Sequence, residues 1–180
     1  MSEISIVPVA EEHLARIVAL AESWQLSTLG DNGRAGAAST TGFLVSDYKI
    51  DDYRARVGSA EFFLAAFEED ELVGFILAYR SDSLRKDEWV NRRVRVTLGP
   101  FLVIKQVCVS PTRVRSGVAS RLYYEVLPAE SARPVIAAVV DEPKNLPSAA
   151  FHKRLGFEEL TTLVPPDGIK RTIWISREPK

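Results

Sequence analysis

The sequence predicts a mixed α/β domain folded around one β-sheet. Three observations predict it. Two apolar runs, residues 60–67 and 72–79, are joined by the charged turn Glu68-Glu69-Asp70, the pattern of an antiparallel hairpin. A third apolar run, 101–109, passes through Ser110-Pro111 and a basic, glycine-containing loop into a segment of helical spacing. Strand-like and helix-like segments then alternate, so that the whole order reads β, two helices, ββ, β, α, β, α, ββ. There is no internal repeat or low-complexity linker, and 180 residues suit one domain, 1–180, with a full core.

Each element has a local reason. Ile4 and Ile6 alternate with polar residues, and Val9 follows, which predicts a strand ending near Pro8. Residues 11–24 read as a helix: Leu14, Ile17, Val18 and Ala21 share one face, and Glu11-Glu12 suits the positive end of its dipole. Residues 30–42, GDNGRAGAASTTG, are small, polar and glycine-rich, as in a mobile loop or a lid that orders over a ligand. A second helix is predicted over 47–57, capped by Asp47 or Asp51.

Residues 81–99 carry Arg85, Lys86, Arg92, Arg93 and Arg95 and fit a loop, a short helix or a strand extension. In the helix that follows the basic loop, Val118, Leu122 and Val126 form one row with Ala119 and Tyr123 beside it, and Pro128 ends it or lies just beyond. Residues 133–140 are a buried-type strand and 141–147 a loop. Residues 148–155 are a short helix with Phe151 and Leu155 inward and Gly156 as its C-terminal cap. Strands over 157–164 and 169–175 meet at the turn Pro165-Pro166-Asp167-Gly168.

Composition narrows the function. Twenty-three basic side chains face twenty-four acidic ones, a net charge of −1, which disfavours a nucleic-acid partner. The single cysteine, Cys108, permits no intramolecular disulfide and no cysteine-rich metal site, so no metal is expected. The first residues lack a signal peptide's basic and apolar segments, and no apolar run approaches the roughly 20 residues that span a bilayer. The expectation is a cytoplasmic protein with no membrane partner.

A strand, a basic loop and a helix in succession aim backbone N–H groups and a positive helix end at a phosphate. The donors run from Arg115 to Ala119, Gly117 lets the backbone approach closely, and Arg113 and Arg115 add charge. The same residues also fit a helix cap flanked by solvated arginines.

Two segments together carry a family resemblance. VCVSPTRVRSGVASRLYYEVL, residues 107–127, resembles the pyrophosphate-binding motif of the GNAT superfamily of acetyl-CoA-dependent N-acetyltransferases. NLPSAAFHKRLGF, residues 145–157, is similar to that family's second motif, Asn-x-x-Ser/Ala…Tyr/His-x-x-x-Gly-Phe, and follows in the expected order. The resemblance implies a GNAT-like, mostly antiparallel sheet with flanking helices, in which a central parallel pair, 101–109 and 133–140, splays to admit the coenzyme A arm. It implies direct acetyl transfer from acetyl-CoA to a primary amine of a small molecule or peptide. Homodimers are common in the family.

The implied cofactor contacts are Val107, Cys108 and Val109 on the strand, Arg113, Val114, Arg115, Ser116, Gly117, Val118, Ala119 and Ser120 around the loop, and Asn145, Phe151 and His152 in the second motif. Val114 departs from the family, which has Arg or Gln there. Of the possible catalytic groups, a backbone N–H at Val109 or its neighbour would meet the thioester carbonyl. His152, at the family's tyrosine position, would meet the leaving thiolate, or else packs against its helix with a bond to Ser148. Gln106 would position a water as proton relay, because this strand lacks the glutamate many relatives use as base. Asn145 contacts the cofactor or caps its helix. Cys108 is expected to pack in the core. Trp24, Phe43, Tyr48 and Tyr79 are the candidate substrate walls. The rival readings are a non-catalytic acyl-CoA-binding module and a nucleotide-binding regulator. The second lacks both G-x-x-x-x-G-K-[ST] and G-x-G-x-x-G.

Overall fold

The computed structural model describes residues 3–25, 42–130 and 134–177. Seven strands form one sheet in the order β1-β2-β3-β4-β5-β7-β6, where β1 is Ile4–Pro8, β2 Phe62–Glu68, β3 Glu71–Arg80, β4 Leu102–Val109, β5 Val135–Val140, β6 Glu158–Leu163 and β7 Arg171–Ser176. Every pair is antiparallel except β4–β5. The helices are α1 Leu14–Ser23, α2 Ile50–Arg54, α3 Trp89–Leu98, α4 Val118–Val126 and α5 Leu146–Arg154. The predicted loop falls on residues 30–42, of which 30–41 lie outside the described residues, as does Arg133.

Strand alternation sorts the core into two layers. Phe63, Phe75, Leu77 and Tyr79 face one side with Leu14, Ile17, Tyr53 and Val94 of α1, α2 and α3. Ala66, Ile76 and Ala78 face the other with Val118, Leu122, Tyr123 and Val126 of α4, while Phe151 and Leu155 border it from α5 and its C-terminal end. The row read from the spacing of α4 is buried as expected. Gly74 on β3 allows α4 to approach: a Cβ there would stand 2.8 Å from Val118 Cγ1 and 2.9 Å from the Cys108 carbonyl oxygen. Among the described residues no helix is long and apolar enough to cross a membrane.

One local expectation is corrected, one set of alternatives is resolved and one expectation is extended. Neither Asp47 nor Asp51 caps α2: Lys49 holds the N-cap position, and its N–H donates to the Asp52 carboxylate at 2.9 Å. Residues 81–99 resolve into a 3-10 turn, Ser81–Ser83, and α3, so the helix is the alternative that forms. In α5 the fully buried side chain is His152, 2% exposed, whereas Phe151 and Leu155 are half-buried. The histidine tolerates burial because both ring nitrogens are bonded, as shown below.

Candidate active site

The site is organised by a fork in the sheet. β4 and β5 pair only at Leu102–Val135, Val103–Ile136 and Ile104–Ala137. Beyond Ile104, β5 pairs with β7 alone and β4 with β3 alone. The separation begins at an irregularity: β3 residues Leu77 and Ala78 are consecutive, but their partners are Gln106 and Ile104, so Lys105 is an extra residue on β4. The extra residue reverses the side-chain alternation. Val103 and Cys108 therefore face the same core layer although one is odd and the other even in number.

The fork leaves a backbone edge. The Ser110 N–H donates to the Val73 carbonyl at 2.8 Å, so alternation turns the N–H groups of Val107 and Val109 away from β3 and towards the opening. The Val109 carbonyl points the same way and accepts the Trp24 indole N–H at 2.9 Å. Trp24 thus closes the end of β4. Cys108 instead turns its side chain into the core, 4% exposed, where burial pushes the thiol pKa up. It packs as expected, and its thiol is absent from the fork.

At the end of β4 the chain makes a 3-10 turn, Pro111–Arg113, and enters α4 through Arg115 at φ 66° and Gly117 at φ 86°. Two left-handed residues turn neighbouring N–H groups to one side, and the first turn of α4 adds N–H groups that no helical carbonyl can reach. Gly117 is the N-cap, and its carbonyl accepts from the Arg121 N–H at 3.0 Å. The Ser116 N–H is engaged with the Arg113 carbonyl at 3.2 Å, which removes it from the expected cradle. The two arginines differ. Arg113 pairs with Glu68 through Nε at 2.6 Å and through Nη2, whereas Arg115 is exposed. Val114 is 51% exposed and touches neither core.

The second motif lies across the fork. Asn145 caps α5, its Oδ1 accepting the Ser148 N–H at 3.3 Å, and its Nδ2 donates to the Phe43 carbonyl at 3.1 Å. The Ser148 carbonyl can only accept, so the 2.7 Å contact fixes a proton on His152 Nδ1. In the neutral ring Nε2 is then an acceptor and takes the Tyr123 hydroxyl at 2.8 Å. Burial lowers the His152 pKa from 6.5 to about 4 despite the Ser148 contact, and burial raises that of Tyr123. This arrangement packs His152 with its Nδ1 proton committed to Ser148 and its Nε2 an acceptor.

On the α2–α3 side the fork opens into a cavity of about 420 Å³. Ile104, Lys105, Ala138 and Val140 border it along the fork, and Tyr48, Asp52, Arg85, Glu88, Trp89, Asn91, Asp167 and Arg171 build its walls. Five carboxylates line it against three cations. Of the four aromatic candidates, only Tyr48 is on its wall. Trp24 sits at the far end of β4, Phe43 is buried against Val140, and Tyr79 is fully buried with its hydroxyl on Glu88 at 2.8 Å. Gln106 is also misplaced: it is 2% exposed, with Oε1 accepting from the Tyr53 hydroxyl at 2.6 Å, and is not among the cavity's lining residues.

The wall carboxylates are held by donors. Glu88 accepts from Arg85 N–H at 2.9 Å and Arg56 Nη2 at 3.2 Å on one oxygen, and from Tyr79 and Asn91 on the other. The Lys49 N–H, then Arg85, holds Asp52 below the usual carboxylate range, and Arg171 does the same for Asp167. Lys105, Glu88 and Asn91 were not singled out from sequence. Their signal, a polar cluster within an otherwise apolar stretch, is present for Lys105 alone.

Comparison with known proteins agrees with this architecture. A model of the acetyltransferase (GNAT) family matches residues 34–157. No curated protein matches the sequence significantly. Among solved structures, Arabidopsis thaliana NAA60 in complex with acetyl-CoA is 16% identical with a TM-score of 0.70, covering 97% of this chain and 99% of that one. The ribosomal-protein-S18-alanine N-acetyltransferase of Escherichia coli is 12% identical with a TM-score of 0.64, covering 99% and 96%. Arabidopsis thaliana Naa50 in complex with the bisubstrate analogue CoA-Ac-MVNAL is 18% identical with a TM-score of 0.63, covering 96% and 97%. At these identities the structures establish a common fold.

Proposed function

The chain belongs to the GNAT acetyltransferase family, whose acetyl donor is acetyl-CoA, and from that premise we propose that it transfers the acetyl group directly to a primary amine of a small molecule or peptide. The observation that carries the proposal is the fork itself. It presents unpaired N–H groups between a left-handed, donor-rich loop on one side of the sheet and a charged cavity on the other.

The residues fit the donor. N–H groups of Arg115, Gly117, Val118, Ala119 and Ser120 face a pyrophosphate, with the Arg115 side chain as mobile charge and Arg113 committed to Glu68. Val107 and Val109 offer N–H groups to the amide-bearing arm, as a sheet edge does to an added strand. Acetyl-CoA supplies an activated thioester when bound. Of the two N–H groups, Val107 is two residues from Lys105, where the cavity meets β4, and Val109 is four. At about 3.3 Å per residue the Val107 N–H is the one near the amine, so we assign it the thioester carbonyl in place of Val109.

The amine enters from the cavity, drawn by the excess of carboxylates as an ammonium. The ammonium first loses one proton to solvent; as the neutral amine then attacks, the N–C bond forms, the C–S bond breaks, the second proton on nitrogen passes to water and coenzyme A leaves as thiolate. Asp52 and Asp167 are weak bases because their pKa values are lowered, and Glu88 is filled by donors. Loss of the ammonium proton to solvent is the route these residues leave. The test is thiol release from acetyl-CoA against amines, amino acids, polyamines, aminoglycosides and N-terminal peptides, with product mass. Release with at least one amine is expected. Tight coenzyme A binding with no turnover on any amine would identify a non-catalytic acyl-CoA-binding module instead.

A further inference from the structure

An antiparallel strand pair can be joined by about two to five residues. β3 and β4 are such a pair, yet residues 81–101 connect them and carry α3. The pairing does not require that excursion, so what α3 presents to solvent calls for a reason. Asn91 and Val94 are the buried residues of this helix. At about 100° per residue, Trp89, Arg92, Arg93 and Val96 share the opposite face. Both arginines are exposed, Trp89 is 41% exposed and Val96 78%.

The charges of this face are unspent. Among the described residues neither the Arg92 nor the Arg93 guanidinium has an ion pair or a side-chain hydrogen bond. The nearby carboxylates are taken: Asp82 by Arg95 at 3.3 Å and Asp87 by Arg85 at 3.4 Å. Tryptophan and arginine together on an open face are the composition of a binding surface. The face also begins at the cavity. Trp89 lines the cavity wall with Val90 and Asn91, whereas Arg92, Arg93 and Val96 lie beyond it. The two regions differ in sign, since carboxylates outnumber cations on the cavity wall and the charged residues of the face are both arginines. Arg92 and Arg93 stand about 5–6 Å along the helix from Trp89, at 1.5 Å per residue. That is roughly two residues of extended peptide.

We propose that the outward face of α3 binds a peptide acceptor that carries acidic residues a few positions from its N-terminus. The ammonium end enters the cavity, the carboxylates meet Arg92 and Arg93, and Trp89 and Val96 pack on the apolar atoms between. The size of the patch favours a peptide over other anionic partners. Counting the exposed, unpaired Lys86 of the preceding turn, it offers three free cations among the described residues. Clusters that hold anionic lipid use about 4–8, and nucleic-acid binders make about 6–10 phosphate contacts. Two acidic side chains need only the two arginines. The inference rests on reading the cavity as the acceptor site and takes the peptide from the two acceptor classes above.

The experiment measures acetyl transfer to peptides that share their first two residues and differ at positions three to six, which carry Asp and Glu, their amides Asn and Gln, or Lys. The acidic peptides are expected to exceed the amides about twofold to thirtyfold in kcat/KM, mainly through KM, the range that two exposed ion pairs give. Added salt should shrink that ratio. Arg92→Gln with Arg93→Gln should bring it close to one, and Arg92→Glu with Arg93→Glu should turn the preference towards the lysine peptides. Equal use of acidic and amide peptides, or an acidic preference that survives the double substitution, overturns the inference and leaves acetyl transfer intact. So does turnover of small amines with none of any peptide. Binding of phosphatidylserine vesicles or of RNA that requires both arginines, in an enzyme without the acidic preference, overturns it in favour of that partner. No turnover with any amine overturns the underlying reading as well. The wild-type comparison needs no variant, so a poorly folding mutant does not shelter the proposal.

Discussion

Gly74→Ala tests whether the contact between β3 and α4 sets the cofactor side of the site. The added methyl would meet Val118 Cγ1 at 2.8 Å, the Cys108 carbonyl oxygen at 2.9 Å and Leu122 Cδ1 at 3.4 Å. Two of these distances are shorter than carbon normally tolerates, and one partner is backbone. Val118 cannot yield cheaply either, since it is a stiff β-branched residue, 1% exposed, at the first position of α4. Overpacking of this kind costs about 1–3 kcal/mol, against less than about 1 kcal/mol recovered by removing a strand glycine's backbone entropy. A net loss of about 1–2 kcal/mol corresponds to a fall in Tm of about 2–8 °C for a chain of this size. The strain is relieved by moving α4 or β4, and those elements carry the Gly117 cradle and the Val107 edge. Thermal unfolding should therefore show the lower Tm, and calorimetry should show weaker coenzyme A binding. Titration should show KM rising more for acetyl-CoA than for the amine. A Tm within about one degree of wild type, together with unchanged coenzyme A affinity, would refute the argument that this interface is filled.

Three further outcomes are expected. His152→Phe should leave kcat unchanged with a good acceptor. It should also remove an acid sensitivity: because burial lowers the native pKa to about 4, the wild type is fully stable above the ordinary value of 6.5. The wild type should lose up to roughly 3 kcal/mol as pH falls from 6.5 towards 4, measured by urea unfolding across that range. Arg115→Ala should raise the Kd for coenzyme A several-fold at low salt and less at high salt, whereas Arg113→Ala should affect it less, since Arg113 is held by Glu68. The pH profile of kcat/KM should rise with the fraction of neutral amine, so two acceptors of different pKa should break at different pH; a common break would reveal a protein base.

The cofactor side was legible because its signals are local. Ser110-Pro111 ends a strand, Gly117 starts a helix, and both act on residues within one turn of chain. The fork was legible only through resemblance. β4 is a nearly continuous apolar run, and one extra residue in such a run disturbs no alternation that a reader could see. The packed His152, bonded to Ser148, was legible only as one of two alternatives, for a related reason. Hydrophobic spacing put Phe151 and Leu155 inward, but burial is decided by satisfaction as well as by apolarity. The Ser148 carbonyl and Tyr123 hydroxyl satisfy the imidazole from two different helices.

The acceptor side depends on such distant pairings throughout. Glu88 is buried because Arg56 reaches it from 32 residues away, Asp52 is fixed by Arg85 across 33, and Lys105 belongs to yet another segment. Lys105 alone stands out among its sequence neighbours, and residues 81–99, marked chiefly by their basic side chains, fit a loop, a short helix or a strand extension equally. The buried, donor-filled Glu88 that results is a scaffold for the cavity wall. Its acceptor capacity is taken up by Arg56, Tyr79, Arg85 and Asn91, and Lys105 stands 3.8 Å from the same carboxylate. The same donors therefore fix one wall of the cavity through contacts that no local stretch of sequence displays.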